Sequence, residues 1–115
     1  MKTLKNIPLQ RNDCLAIETA GATLIKEFPV ETVILFGSKS RGSDDKHSDT
    51  DLLLVTNRRL NWREEKEIID RLFDIGMTFN VIFSPLFASH DEWEGGIFQT
   101  FPLYADIMRD GALVA

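Results

Sequence analysis

Hydrophobic residues recur at two different spacings along the chain, and the spacing changes from one segment to the next. Between residues 14 and 28 they recur every three to four positions, which predicts an amphipathic helix. Residues 32–36 form a short β-branched run, and residues 51–56 contain three consecutive leucines. Such continuous apolar runs are typical of strands that are buried on both faces. The first half of the chain therefore predicts a helix followed by two strands.

The second half continues this alternation of elements. Asn61, with Glu64 three residues later, forms a capping-box pattern at the start of a second helix. The apolar stripe of this helix is assigned to the core: Ile68, Ile69, Leu72 and Phe73. Residues 78–84 predict a third strand, and residues 103–109 predict a last helix that ends at Gly111. The order predicts an α/β (α+β) fold in which helices pack on a small mixed β-sheet.

Length and composition limit what such a fold can do. At 115 residues the chain predicts a single domain over residues 1–115 with one core. Hydrophobic residues make up 43% of the chain, as in an ordinary globular protein, and no apolar run is long enough to span a membrane. The single cysteine, Cys14, favours a reducing cytoplasm. The net charge of −5 argues against a long nucleic acid as partner, because binding its phosphates requires a basic face.

The candidate chemistry is concentrated in the polar, glycine-containing segment between the first two predicted strands. Asp49 and Asp51 stand two apart at the start of the second strand, so their side chains point to the same face. Converging carboxylates repel each other, and a divalent cation between their oxygens removes that repulsion. Oxygen ligands suit Mg²⁺ or Mn²⁺, which take further ligands from water and substrate phosphates. The pair predicts a metal site; the alternative is an acidic strand edge exposed to water.

Gly37 and Ser38 are the phosphate-binding half of this predicted site. A glycine at the end of a buried strand lets the backbone approach a phosphate closely. The amide and hydroxyl of Ser38 can donate to phosphate oxygens at the start of a helix. Lys39 and Arg41 are candidates for contacts with a triphosphate, and simple solvation is the alternative for both.

Other polar and aromatic residues have simpler explanations. Asp44 and Asp45 fit solvated turn residues. His47 has no paired acid nearby in the sequence and fits an exposed histidine. Trp62 and Trp93 can stack on a nucleobase, but we expect both to pack against the sheet.

This combination of residues resembles the signature of the DNA polymerase beta-like nucleotidyltransferase superfamily. The shared features are a hydrophobic strand, the Gly37-Ser38 pair, ten further residues, and Asp49 and Asp51 at the start of the next strand. The chain is most similar to the short prokaryotic minimal nucleotidyltransferase (MNT) branch, often encoded beside a HEPN-domain protein in toxin–antitoxin pairs. The resemblance implies a palm-like fold, ATP or another NTP as substrate, Mg²⁺, and a HEPN-type partner protein.

The family's third catalytic carboxylate, on the third strand, is absent from this sequence. On the predicted strand 78–84, the resemblance places Asn80 at that position, on the same face as Ser84 by alternation. An amide is neutral and a poor proton acceptor. We therefore expect nucleotide binding through Asp49 and Asp51 to be retained better than turnover.

The resemblance predicts an enzyme that moves a nucleoside monophosphate, AMP from ATP, to a hydroxyl acceptor. A hydroxyl attacks the α-phosphorus in line and pyrophosphate leaves, with Asp49 and Asp51 as the catalytic metal ligands. The chain length leaves no room for an acceptor-binding domain, which favours a protein acceptor or a site completed by a second subunit. The alternative is a degenerate member that binds a nucleotide or a partner protein without transfer, and Asn80 favours that alternative.

Overall fold

The computed structural model describes residues 1–42 and 49–115 of the chain. Two short 3-10 turns, Leu4–Asn6 and Phe98–Thr100, accompany the strands and α-helices of these ranges. In chain order the elements are β1 (Lys2–Thr3), α1 (Arg11–Glu27), β2 (Val30–Phe36), α2 (Ser38–Arg41), β3 (Thr50–Thr56), α3 (Trp62–Phe79), β4 (Phe83–Ser89), α4 (His90–Glu94), α5 (Pro102–Asp110) and β5 (Ala112–Leu113). Asp44, Asp45 and His47 lie outside the described residues. Within the two described ranges, no helix has the length and apolar character needed to cross a membrane.

The strands form one mixed sheet in the order β1-β5-β2-β3-β4. β2 and β3 are antiparallel and pair from Val30 opposite Thr56 to Phe36 opposite Asp51. β4 runs parallel to β3 on its other side and forms one edge of the sheet. The expected small mixed β-sheet is confirmed, with the short strands β1 and β5 added beside β2.

Different helices cover the two faces of this sheet. Leu52 and Leu54 of β3 pack on one face with residues of α1 and α3, and we call it the α1/α3 face. Leu53 packs on the opposite face with Trp93 of α4 and Ile107 of α5, and we call it the α4/α5 face. All three leucines are fully buried, as expected for a strand that is covered on both sides.

Aromatic rings connect α4 and α5 on the α4/α5 face. Trp93 is buried, and its ring centroid lies 4.8 Å from that of Tyr104 and 6.2 Å from that of Phe98. The expected packing of Trp93 is confirmed. The same expectation is wrong for Trp62, which is 69% exposed. Trp62 begins α3 beside the ends of β3 and β4, where the sheet stops, and the Arg63 guanidinium lies 5.2 Å from its ring centroid.

Two predicted helix ends are confirmed by their hydrogen bonds. The backbone N–H of Glu64 donates to the Asn61 side chain at 2.9 Å, and the N–H of Asn61 donates to the Glu64 carboxylate at 3.1 Å. This capping box starts α3 one residue after Asn61. At the other end of the chain, the N–H of Gly111 donates to the Ile107 carbonyl at 2.7 Å and closes α5.

The apolar stripe of α3 is only partly core. Ile68 and Leu72 are buried against the α1/α3 face, as predicted. Ile69 and Phe73 are 46% and 67% exposed, so their assignment to the core is wrong. The reason is the position of α3 beside β4, the edge strand: the outer flank of the helix projects past the sheet.

The predicted strand at residues 78–84 is also wrong in its position. Helix α3 continues to Phe79, and Asn80 caps it in the left-handed conformation with φ 57° and ψ 48°. The cap N–H of Asn80 donates to the Gly76 carbonyl, so this backbone still belongs to the helix end. Asparagine tolerates the left-handed region better than most residues. The strand begins only at Phe83, so Asn80 does not lie on it.

Candidate active site

The site is built around the turn from β2 into α2. Gly37 makes this turn with φ 78° and ψ −157°, a conformation that side chains disfavour. A Cβ atom on Gly37 would lie 2.2 Å from Oδ2 of Asp51. Glycine is therefore required at position 37 for two reasons: the backbone conformation disfavours a side chain, and the Asp51 carboxylate fills the space that a Cβ atom would need.

The two aspartates lie at the start of β3, next to this turn. Asp51 is half-buried on the α4/α5 side of the strand and lies opposite Phe36 of β2, while Asp49 is exposed. The pKa of Asp51 is raised, first by burial of the carboxyl and then by the negative charge of Asp49. The positive charge of Arg41 opposes this shift. The carboxylates of Asp49 and Asp51 thus lie close enough to repel each other, with Arg41 nearby.

The three polar residues of α2 occupy different environments. Ser38 is half-buried at the first position of the helix, directly after Gly37. Lys39 is 3% exposed, and its ammonium lies 3.1 Å from a carboxylate oxygen of Asp13 in α1. Arg41 is exposed, and its positive charge lowers the pKa of Asp51. The structure therefore places Arg41 beside the carboxylates and joins Lys39 to α1.

Helix α5 forms a wall of the site that the sequence did not indicate. A cavity of 120 Å³ separates α5 from the turn. Its lining residues are Phe36, Gly37, Arg41, Leu103, Asp106, Ile107 and Asp110. Arg109 donates to Asp106 at 3.0 Å and to Asp110 at 2.9 Å, and its hydrogen bond is the main reason that the pKa of Asp110 is lowered. The spacing of Asp106 and Asp110, four residues apart on a short helix, was the available signal for a shared face.

The residue level with Asp51 on the neighbouring strand is Ser84. In the parallel β3–β4 pair, Asp51 is the Cα partner of Ser84, and Leu53 is the partner of Leu86. Partners in adjacent strands point to the same face, about 4.8 Å apart. Leu53 and Leu86 belong to the core of the α4/α5 face, so Ser84 shares the face of Asp51.

Asn80 lies on the other side of the sheet, at the end of α3. This helix packs on the α1/α3 face, opposite to the face from which Asp51 projects. The family resemblance places Asn80 at the third-carboxylate position because residues 78–84 alternate as the residues of a strand do. The alternation is misleading because Thr78 and Phe79 are the last residues of α3 and Asn80 is its cap, whereas the strand begins at Phe83. Ser84, which the same alternation places on the face of Asn80, is the residue of this stretch that lies level with Asp51.

The donor set fits a metal ion that arrives with a phosphate substrate. Among residues 1–42 and 49–115, no group of three or more His, Cys, Asp or Glu side chains converges as a metal site. Asp49 and Asp51 supply oxygen ligands of the kind that Mg²⁺ prefers, and the remaining ligands come from water or phosphate. The pKa of Asp51 is raised first by burial and then by the charge of Asp49, and a cation between the two carboxylates would oppose both effects.

A curated relative shares part of its sequence with this chain. It is a protein of Methanocaldococcus jannaschii named "Putative protein adenylyltransferase MJ0141", and it is 31% identical over 65 residues. The match covers 56% of this chain and 65% of the relative. The chain thus spans slightly less than two thirds of that protein's length.

Solved structures with low sequence identity share the fold. A crystal structure of a toxin–antitoxin with AMP-PNP has a TM-score of 0.60 at 16% identity, and the alignment covers 85% of this chain and 72% of that chain. The structure of a tri-AMPylated Shewanella oneidensis HEPN toxin in complex with MNT antitoxin has a TM-score of 0.54 at 12% identity, with 89% and 71% covered. Both likenesses concern the fold alone.

The family-level match covers the elements that build the site. The family described as "Polymerase beta, Nucleotidyltransferase" matches residues 18–91. This range runs from α1 into α4 and contains the Gly37 turn, both aspartates and Ser84. The resemblance drawn from the glycine-serine pair and the two aspartates is thereby confirmed. The chain belongs to the polymerase beta nucleotidyltransferase family.

Proposed function

We propose that this protein transfers AMP from ATP to a hydroxyl group of another protein, with Mg²⁺ held by Asp49 and Asp51. The observation that carries the proposal is the position of the Asp51 carboxylate, packed against Gly37 at the entrance to α2 and next to Asp49. A phosphate at that helix entrance and a cation on the two carboxylates would be neighbours. The geometry thus matches a substrate that brings both phosphate and metal.

Each residue of the site has a defined task in this reaction. Backbone amides at Gly37 and Ser38, together with the Ser38 hydroxyl, donate to phosphate oxygens. Asp49 and Asp51 would hold Mg²⁺, which when bound would neutralise charge on the triphosphate. Arg41 adds a positive charge beside them. The acceptor oxygen forms a bond to the α-phosphorus, the bond to pyrophosphate breaks, and the acceptor proton is lost to a base.

The base is the weak point of the site. Ser84 lies level with Asp51 on the neighbouring strand. We infer that the family's third carboxylate, which lies on that strand, corresponds to this position. A hydroxyl neither accepts the acceptor's proton readily nor adds negative charge for a second metal ion. We infer that nucleotide binding is strong relative to transfer in this protein, as the sequence also suggested through Asn80.

Comparison with relatives supports a protein acceptor. The Methanocaldococcus relative is named as a protein adenylyltransferase, and one fold neighbour contains an AMPylated HEPN toxin with its MNT antitoxin. We propose that the acceptor hydroxyl belongs to a HEPN-type partner, so that AMP transfer acts within a toxin–antitoxin pair. The partner would also complete the acceptor side of the site, because the described site residues come from one small sheet and its helices.

The test begins with nucleotide binding by the full chain. Calorimetry with a non-hydrolysable ATP analogue should detect binding that requires Mg²⁺, and Asp49→Ala/Asp51→Ala should abolish the metal-dependent part. Asp70→Ala is the matched control, because Asp70 is an exposed aspartate on α3. Equal affinity in wild type and the double variant would remove the basis of the proposal. Transfer is then measured with labelled ATP and a candidate HEPN-type partner protein.

A second function is favoured by Ser84 alone. A protein that keeps the nucleotide site but lacks the third carboxylate can act as a nucleotide-dependent binding module for its partner. The two functions separate in the labelling experiment. Label on the partner supports the transferase. ATP-dependent complex formation without label, even in a Ser84→Asp variant, supports the binding module.

A further inference from the structure

The outer flank of α3 carries a line of exposed apolar side chains. Trp62, Ile69, Phe73 and Met77 are 69%, 46%, 67% and 70% exposed. Their spacings of seven, four and four residues place them on one side of the helix. At 1.5 Å per residue, the line is about 22 Å long. We call these four residues the α3 strip.

The α3 strip borders an apolar groove along the edge strand β4. The groove has a volume of 260 Å³. Its lining residues are Ile69, Leu72, Phe73, Met77, Val81, Ile82, Phe83 and Pro85. Pro85 has no backbone N–H, so it interrupts the hydrogen bonding that an added strand would need at this edge. The shape and the proline favour a helix as the occupant.

Charges beside the α3 strip are distributed unevenly along the helix. Arg63 and Lys66 come first along the helix, and Asp70 and Asp74 follow them, all four exposed on the same flank. Lys66 and Asp70 also pair within the helix at 2.7 Å. A second copy of α3 in antiparallel orientation brings Lys66 opposite Asp70 of that copy. The same register brings Arg63 opposite Asp74 of that copy. The flank is thus complementary to itself in the antiparallel orientation.

We propose that the α3 strip is the interface of a homodimer in which two α3 helices pack antiparallel. Such an isologous contact uses the same patch on both copies, as twofold symmetry requires. In this register the two Ile69 side chains lie near the twofold axis, and Phe73 of each copy lies level with the start of α3 of the other. The four charged residues form the rim. The α1/α3 side that carries this interface is opposite to the face of Asp51, so both nucleotide sites remain open in the dimer. The inference is independent of the proposed transfer activity.

Sedimentation equilibrium of the full chain tests the interface. Wild type should dimerise with a Kd of about 10 μM, as for a small interface. Ile69→Ser/Phe73→Ser should be monomeric and folded, because both side chains are exposed. Ile97→Ser, at an apolar residue that is 60% exposed after α4, is the matched control and should dimerise as wild type does. A wild type that remains monomeric at about 100 μM, or a double variant that dimerises unchanged, overturns the proposal.

Charge reversal tests the antiparallel register. Arg63→Glu/Lys66→Glu makes the whole flank acidic, and Asp70→Lys/Asp74→Lys makes it basic. Each variant alone should be monomeric, because every rim contact becomes repulsive. An equal mixture should form heterodimers at low salt and lose them at high salt. If each variant dimerises as strongly alone as in the mixture, the self-complementary flank does not form the interface. A strip that is covered only when a different protein is added also overturns the homodimer.

Discussion

The two faces of the sheet use the same strand for different purposes. On the α1/α3 face, Leu52 and Leu54 of β3 are covered by two long helices, and packing continues along the strand. On the α4/α5 face, Leu53 is buried, but the preceding position on that face is Asp51, which is only half-buried. The difference shows how one face can stabilise a strand while the start of the other presents its polar groups to a ligand. Mutations on the two faces should therefore have different consequences.

The largest expected effect comes from Gly37→Ala on the site side. The added Cβ displaces the Asp51 carboxylate, which lies 2.2 Å from that position. Metal-dependent nucleotide affinity should fall by at least about 100-fold, which corresponds to about 2.7 kcal/mol. Titration calorimetry measures this loss.

Gly42→Ala is the control that separates strain from displacement. Gly42 also has a positive φ, 71°, but its Cβ would meet Pro8 at an ordinary contact distance of 3.6 Å. The backbone strain should lower stability by about 1 kcal/mol while nucleotide affinity stays within a few-fold. Equal losses of affinity in both variants would mean that the contact between Gly37 and Asp51 has no special role.

The next effect concerns turnover. Ser84→Asp should raise the rate of AMP transfer by about 100-fold, because it restores a carboxylate level with Asp51. Asn80→Asp, at the end of α3, should leave the rate almost unchanged. Single-turnover labelling of the partner protein measures both rates. A gain at Asn80 and none at Ser84 would show that the strand register is not what places the third carboxylate.

A smaller effect is expected where α2 meets the α1/α3 side. Asp13→Asn removes the carboxylate that lies 3.1 Å from the buried Lys39 ammonium. The free energy of unfolding should fall by about 2 kcal/mol, because a buried charge loses a partner. Asp70→Asn in the exposed Lys66–Asp70 pair should lower it by less than about 0.5 kcal/mol. Urea denaturation distinguishes the two, and equal losses would contradict the structural role of Lys39.

The smallest effect is a pH dependence at Asp51. The pKa of Asp51 is raised above its ordinary value of 3.8, so its ionisation is less favourable in the folded protein than in the unfolded chain. The contribution of Asp51 to the free energy of unfolding is fully present below the pKa that this group has in the unfolded chain. It is lost as the pH rises through the pKa that the group has in the folded protein. Asp51→Asn should therefore be more stable than wild type near neutral pH and lose this advantage in acid. Denaturation without metal at both pH values measures the difference; an advantage that grows in acid contradicts it.

The part of the site that the sequence predicts is the part whose geometry is determined by local spacing along the chain. Gly37 follows a strand, and Asp49 and Asp51 stand at its partner's start, so their convergence requires no knowledge of packing. Lys39 and Arg41 looked equivalent on a polar loop. They differ because α1 lies beside one of them and supplies Asp13.

The errors on α3 have a common physical cause. The pattern of a helix indicates which side is apolar but does not indicate how far the sheet beneath it extends, so Ile69 and Phe73 were placed in the core. Near residues 78–84 the end of a helix and the start of a strand both satisfy an alternating pattern. The left-handed cap at Asn80 determines where α3 ends. The position of such a cap depends on tertiary contacts as well as on propensity.

The three-residue connection between α3 and β4 has an evolutionary consequence. Inserting or deleting one residue there would place Phe83 or Pro85 opposite Asp51 and would turn every side chain of β4 to the other face. Such a change would move Phe83 and Phe87 out of the core of the α1/α3 face, so selection for folding opposes it. On the proposed role of Ser84, a carboxylate reaches this position by codon replacement at residue 84 and not by a change in the length of the connection.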